Sequence, residues 1–159
     1  YAAGSDNDQN GSQSNTLCLT DNPTHDPATS DKNENGNLLY STEYETRGIS
    51  IFSDLQDKEA PCAKCMVTGA AFKMMLPGSQ ECPSGWDRQY KGFLMGPHYK
   101  NNSQSDAVCV DRNAQAIPGS GGNHNRNRWY PTETECKALP CGGDGYRADR
   151  EVTCSVCTR

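Results

Sequence analysis

The sequence predicts a mainly β fold made of two tandem homologous, disulfide-linked subdomains with long irregular loops. Three observations lead there. A polar, tyrosine-bearing pattern occurs twice, nine cysteines accompany only 33% hydrophobic residues, and the apolar residues fall in short runs without a sustained helical period.

Long-period self-similarity governs how every local signal is read. Residues 33–45 read NENGNLLYSTEYE and residues 123–135 read NHNRNRWYPTETE; seven of thirteen positions agree without a gap, 90 residues apart. The shared frame is N-x-N-x-N-x-x-Y-x-T-E-x-E. Ser12-Gln13-Ser14 matches Ser103-Gln104-Ser105 and Cys18 matches Cys109, both 91 apart, while Cys62 and Cys65 match Cys154 and Cys157, 92 apart. So small a drift implies one copied unit, giving a first repeat at 1–66 and a second at 67–159. The long period suits two subdomains rather than a solenoid.

A chain so poor in apolar residues builds a thin core, and crosslinks compensate at about 2–4 kcal/mol each. Cysteine-dense, polar, loop-rich chains belong to oxidising surroundings. The expected location is therefore secreted and extracellular, as a mature chain from which a targeting segment was removed. The net charge is −5 and no basic patch is visible, which argues against nucleic acid as a partner. No apolar run approaches the ~20 residues of a spanning helix, which argues against a membrane.

Nine cysteines leave one over. Cys82 opens the second unit in CPSGW, and its counterpart, 91 residues earlier, would fall ahead of Tyr1. The first unit is thus expected to be incomplete at its start, and the leftover half-cystine to join a second chain or a cleaved upstream peptide.

Along the chain, residues 1–37 are rich in Asn, Asp, Ser, Gly and Thr, a composition that alone suggests disorder. Because it recurs around 100–127, it is read as folded loop. Asn10-Gly11-Ser12 and Asn101-Asn102-Ser103 are aligned glycosylation sequons, implying one equivalent exposed loop in each half. Leu38 to Tyr44 and Gly48 to Phe52 carry β-branched and aromatic residues and read as strands. Met66 to Leu76, the most apolar segment, fits a buried strand pair turning at Gly69 or a short helix, and strand is preferred because Pro77-Gly78 closes it as a turn. Gly92 to Met95, Ala107 to Val110 and Glu151 to Cys157 read as short strands, the last with Val152, Cys154 and Val156 on one face. Pro118 to Gly122 is loop.

The pairs Cys62/Cys65 and Cys154/Cys157 are C-x-x-C motifs, which also serve zinc and redox chemistry. Their separation fits no compact finger, and neither motif opens a helix. They are read as structural half-cystines, the two sulfurs of each motif going to different partners, with Cys136 and Cys141 close enough to pair locally.

His25, His98 and His124 lie in no hydrolase or metalloprotease motif, and no G-x-S-x-G, H-E-x-x-H or phosphate-cradling loop is present. The chain does not read as an enzyme, and no cofactor is implied. Asp31 to Asn37 begins like a calcium loop, but the bidentate Glu43 comes one place late, so an Asn-rich turn is preferred to an ion site. The repeated stretch itself suits a sugar. Asn and Glu offer paired planar donors and acceptors, and aromatic rings offer flat apolar faces. The candidate glycan site is Asn33, Asn35, Asn37, Tyr40 and Glu43 in the first copy, and Asn123, Asn125, Asn127, Trp129, Tyr130 and Glu133 in the second. Two weak sites would gain avidity through effective concentration. The competing reading makes the tyrosines core residues and the Asn ladder a turn.

The runs CPSGW at 82–86, GFLM at 92–95, VCVDRN at 108–113, LPC at 139–141 and EVTCSVC at 151–157 resemble the cysteine-rich, non-collagenous domain of invertebrate secreted proteins, many of them sponge-type short-chain collagens. The resemblance covers residues 60–159 and touches the first repeat through LCLTDNP and PCAKC. It implies an extracellular, disulfide-rich, duplicated β module, similar in plan to the paired repeats of the type IV collagen terminal domain. The chain has no Gly-X-Y tract and so is not itself a collagen. The function expected first is a secreted, lectin-like carbohydrate-binding module with one site per repeat, its partners glycans or glycoproteins. The alternative is a structural matrix subunit that self-assembles, as an oligomer or through a disulfide to a second chain.

Overall fold

The computed structural model describes the chain apart from residues 11–14, 26–35, 137, 138, 140, 143 and 144. Among the described residues there is no α-helix. Eight strands, β1 (Ala2–Gly4), β2 (Leu17–Cys18), β3 (Tyr40–Tyr44), β4 (Lys73–Pro77), β5 (Asp87–Gly96), β6 (Val108–Asp111), β7 (Asn127–Pro131) and β8 (Thr153–Thr158), form one sheet in the order β2-β1-β3-β7-β5-β8-β4, with β6 on the free side of β5. The fold is mainly β, as the short alternating runs and absent helical period imply.

Strand pairing around β1 recurs around β5. Ala2 faces Cys18 and Ala3 faces Leu17, while Leu94 faces Cys109 and Met95 faces Val108. On the other side Gly4 faces Tyr40 and Ala3 faces Ser41, while Gly96 faces Tyr130 and Met95 faces Pro131. Loop hydrogen bonds recur with them. The Ala2 N–H donates to Ala60 O at 3.0 Å and the Leu94 N–H to Val152 O at 2.8 Å; the Ala60 N–H donates to Thr42 O and the Val152 N–H to Thr132 O, each at 2.8 Å. Asp57 and Asp149 take φ of 58° and 55°, and their N–H groups donate to Tyr44 O and Thr134 O. Asp tolerates this left-handed backbone because its short polar side chain bonds locally.

The two sets do not stand apart. β3 pairs with β7 in parallel, Thr42 facing Asn127 and Tyr44 facing Trp129. One apolar cluster draws Ala2, Tyr44, Phe52, Leu55 and Ala60 together with Met95, Val110 and Trp129. Phe52 meets Phe93 edge-on at 5.6 Å and Tyr44 meets Trp129 at 6.1 Å, the tilted arrangements that ring quadrupoles favour.

Four disulfides hold the sheet: Cys18–Cys62, Cys82–Cys157, Cys109–Cys154 and the local Cys136–Cys141. The sulfurs of Cys154 and Cys157 go to different partners, as expected, and Cys65 is left free and exposed. No helix among the described residues is long and apolar enough to cross a membrane.

Three local expectations are corrected. Gly48 to Phe52 is not a strand: Ser50–Phe52 is a 3-10 turn that drives Phe52 into the core, its start loosened by Gly48 at φ 93°. Met66 to Leu76 is not a buried strand pair. The chain turns at Gly69 with φ 81°, only Lys73–Pro77 is strand, and Met66 is 92% exposed. β8 does not bury one face alone, because neighbours cover both: Cys154, Ser155 and Cys157 are each fully buried, while Val152 and Val156 are half-buried.

Candidate functional site

Of the residues singled out in the sequence, Glu43, Asn127 and Trp129 lie in the interior. Glu43 is 1% exposed; its carboxylate accepts from the His124 N–H at 2.5 Å and the Asn125 N–H at 2.8 Å. It therefore pins the 123–125 loop to β3 and has no oxygen edge turned to solvent. Asn127 donates through Nδ2 to Thr42 Oγ1 at 2.6 Å and lies so close to Gly4 that a Cβ there would collide with it. Trp129 meets Tyr44 at a tilt in the core. These three positions are structural, and a glycan cannot reach them as they stand.

Asn123 and Asn125 are exposed and adopt φ of 45° and 56°. Asparagine is enriched in that region because its amide bonds the neighbouring backbone, and here Asn125 Nδ2 donates to both Asn123 O and Asn123 Oδ1. In this copy the Asn ladder is a turn. Asn33, Asn35 and the calcium-like Asp31 lie outside the described residues, and Asn37 is exposed.

The two repeated tyrosines are half-buried and each is capped by an arginine, one just ahead of β7 and one within it. Arg126 lies 5.3 Å from the Tyr40 ring and pairs with Asp6 at 2.8 Å; Arg128 lies 6.0 Å from the Tyr130 ring and pairs with Asp8 at 2.6 Å. Burial raises the Tyr130 hydroxyl above its ordinary pKa, with Arg128 pulling the other way.

Tyr130 and Glu133 open onto a cleft of about 680 Å³ between the ends of β5 and β7 and the turn at Asp149. His98 stacks on Tyr99 at 4.5 Å and meets Tyr130 edge-on at 5.0 Å, which makes a continuous aromatic shelf. Tyr99 is 84% exposed. Glu45, Glu133, Glu135 and Asp149 line the same cleft, Glu45 also accepting from Gln56 Nε2 at 2.6 Å, with Arg47 the one cation among the lining residues. An apolar shelf sharing a cleft with carboxylates can hold a ring that has C–H faces and hydroxyl or ammonium edges, and it repels anions. His98, Tyr99 and Asp149 were missed in the sequence because they lie outside the repeated pattern, whereas Glu45 and Glu135 close its two copies and were passed over for the Glu two places earlier in each. The adjacent Pro97-His98-Tyr99 was the available signal.

Among the described residues, Glu43 does not open onto an equivalent cleft. Glu43, the counterpart of Glu133, is buried, its carboxylate held by the 123–125 loop that leads into β7, the strand paired to the edge of β3. Of the two sequons, Asn10 is exposed and Asn101 is half-buried with its amide nitrogen enclosed and unpartnered, while Gly11 and Ser12 lie outside the described residues. Cys62, Cys154 and Cys157 are all in disulfides, which leaves neither C-x-x-C motif a dithiol or a zinc hook.

No protein-family model, no curated protein and no solved structure matches the chain.

Proposed function

We propose that the protein is a secreted, lectin-like module that binds a neutral or amino sugar in the cleft beside Tyr130. The observation that carries the reading is that His98, Tyr99 and Tyr130 line one cleft together with four carboxylates. Sugar C–H faces pack on such rings, and Glu133, Glu135 and Asp149 can accept hydroxyl or ammonium hydrogens. One site replaces the pair expected from the duplication, since Glu43 is enclosed. In the same reading the chain is extracellular, the two halves are copies of one unit, and the invertebrate non-collagenous domain is its kin. Four disulfides and the recurring hydrogen-bond pattern support the first two of these.

The test is a glycan array followed by calorimetric titration of the best ligand. Tyr99→Ala removes an exposed ring, so the fold stays intact and affinity falls about tenfold or more, the scale of an anchoring aromatic contact. Array binding limited to sulfated or sialylated glycans, or unaffected by Tyr99→Ala, would refute the assignment.

The second reading is a structural matrix subunit that self-assembles. The exposed Cys65 and the neighbouring exposed Met66 and Phe72 favour it. Sedimentation showing concentration-dependent oligomers with no effect of any sugar would select it.

A further inference from the structure

In the second half, β8 runs between the two arms of a clasp. β4 lies along one edge, Met74 facing Cys157 and Leu76 facing Ser155. The first half of β5 lies along the other, Arg88 facing Cys157, Tyr90 facing Val156 and Lys91 facing Ser155. The bend between the arms carries Cys82, bonded to Cys157. β5 also fills the space between β8 and the end of β6: the Arg112 N–H donates to Lys91 O at 3.0 Å and the Tyr90 hydroxyl to Cys109 O at 3.0 Å.

The first half has the acceptor without the clasp. Counting through Cys62 and Cys65 against Cys154 and Cys157, residues 61–66 stand where β8 stands, yet they belong to no strand and all are exposed. β1 corresponds only to the last residues of β5. The space that the first half of β5 fills is here a cleft of about 530 Å³, walled by Leu19, Thr20 and Asp21 on one side and Pro61, Cys62 and Lys64 on the other. Cys65, the counterpart of the clasped Cys157, is the free thiol.

We propose that Pro61–Met66 is an acceptor for a cysteine-bearing β-clasp of the Lys73–Lys91 kind, supplied by a polypeptide segment outside residues 1–159 and locked by a disulfide to Cys65. Three features converge on this: an exposed segment outside any strand where the other half has β8, a cleft at the place that β5 fills there, and the free cysteine at the position that is bridged in the other half. A second copy of residues 1–159 is a poor donor, because its own clasp is engaged with its own β8 and tied by Cys82–Cys157. Strand addition supplies backbone hydrogen bonds to an open edge, and the bond forms by exchange with a small-molecule disulfide such as glutathione disulfide. The Cys65 thiol and the partner thiol each lose a hydrogen, one S–S bond forms, and two glutathione thiols leave.

The probe is a synthetic peptide of residues 70–91, whose single cysteine is Cys82, added to the 159-residue protein in a glutathione redox buffer. The expected product is a one-to-one adduct mapped to Cys65, at least tenfold in excess of that formed by a scrambled peptide retaining its cysteine. Amide exchange across 61–66 should slow, and the Cys82→Ser peptide should slow it without forming the bond. Equal adduct from the scrambled peptide, unchanged exchange at 61–66, or a Cys65–Cys65 dimer that excludes the peptide would overturn the proposal. Should the free peptide aggregate, residues 70–92 joined directly ahead of Tyr1 give a second measurement. All ten thiols should then be consumed and the Tm should rise; a persisting free Cys65 would overturn it. Neither readout involves sugar, so the result is separate from that of the glycan assay.

Discussion

Glu43 and Glu133 hold the same place in the repeated pattern and meet opposite surroundings. Glu43 is enclosed and accepts two backbone N–H bonds from the 123–125 loop, whereas Glu133 faces open solvent in the cleft. Hydrogen bonds to a buried charged acceptor each contribute about 1.5–3 kcal/mol. Glu43→Gln turns one of those acceptors into a donor facing an N–H, so the urea midpoint should fall by an amount equal to about 2 kcal/mol or more. Glu133→Gln should stay within about 0.5 kcal/mol, as surface changes do. Tyr44 offers a second residue-level test. Burial pushes its hydroxyl up to about 12 from 10.0, and the protonated group donates to Gln115 O at 3.3 Å. Because the folded pKa lies above the unfolded one, this stabilisation is fully present below pH 10 and is lost between pH 10 and about 12, amounting to about 2 kcal/mol. In an ultraviolet titration of the tyrosines, Tyr44 should ionise last, together with unfolding, and Tyr44→Phe should remove that late step. At this scale the sequence disclosed identity but not exposure. The pattern N-x-N-x-N-x-x-Y-x-T-E-x-E was readable, yet which copy faces solvent depends on β7 pairing along the edge of β3, a pairing between residues 85 apart that no local signal encodes.

Among elements, the strands that carry the repeat were legible and the connections were not. Tyr40–Tyr44, Val108–Asp111 and Thr153–Thr158 formed where alternating apolar residues end at turn formers. Gly48 to Phe52 carries the same composition but is too short, and too close to the turn at Gly48, to reach a sheet partner. It therefore closes on itself, with the Phe52 N–H donating to Ile49 O at 3.1 Å. β5 is longer than its sequence signal because its first half, Asp87 to Lys91, is polar and is stabilised by β8 rather than by its own propensity. Gly92 sits at the crossing of β6 and β8, and a Cβ there would collide with the Val110 carbonyl, a backbone atom that cannot step aside. Gly92→Ala should therefore cost at least the 1–3 kcal/mol typical of overpacking and separate β5 from β6. Amide exchange at Val110 and Arg112 should rise with it, while Gly121→Ala, in open space, should leave both unchanged.

For the whole molecule the question is how so thin an interior holds one sheet. A single cluster of eight buried apolar residues spans both halves, and crosslinks supply much of the remainder. Cys18–Cys62 and Cys109–Cys154 enclose loops of nearly equal length, with separations of 44 and 45. The chain-entropy contribution of each is therefore the same, about 4 kcal/mol, a large share of the 5–15 kcal/mol by which a folded domain exceeds its unfolded chain. The native surroundings differ. Cys154 is fully buried and Cys109 nearly so, whereas Cys62 is exposed in the acceptor segment. Replacing Cys109 and Cys154 with alanine removes the crosslink and also leaves a void between β6 and β8, which adds about 1–2 kcal/mol in the manner of other buried truncations. Replacing Cys18 and Cys62 removes only the crosslink. Urea unfolding of the two double variants should place the first about 1–2 kcal/mol below the second. Equal losses would mean that the bridge in the second half contributes only through the unfolded chain, and that the packing around Cys154 adds nothing of its own.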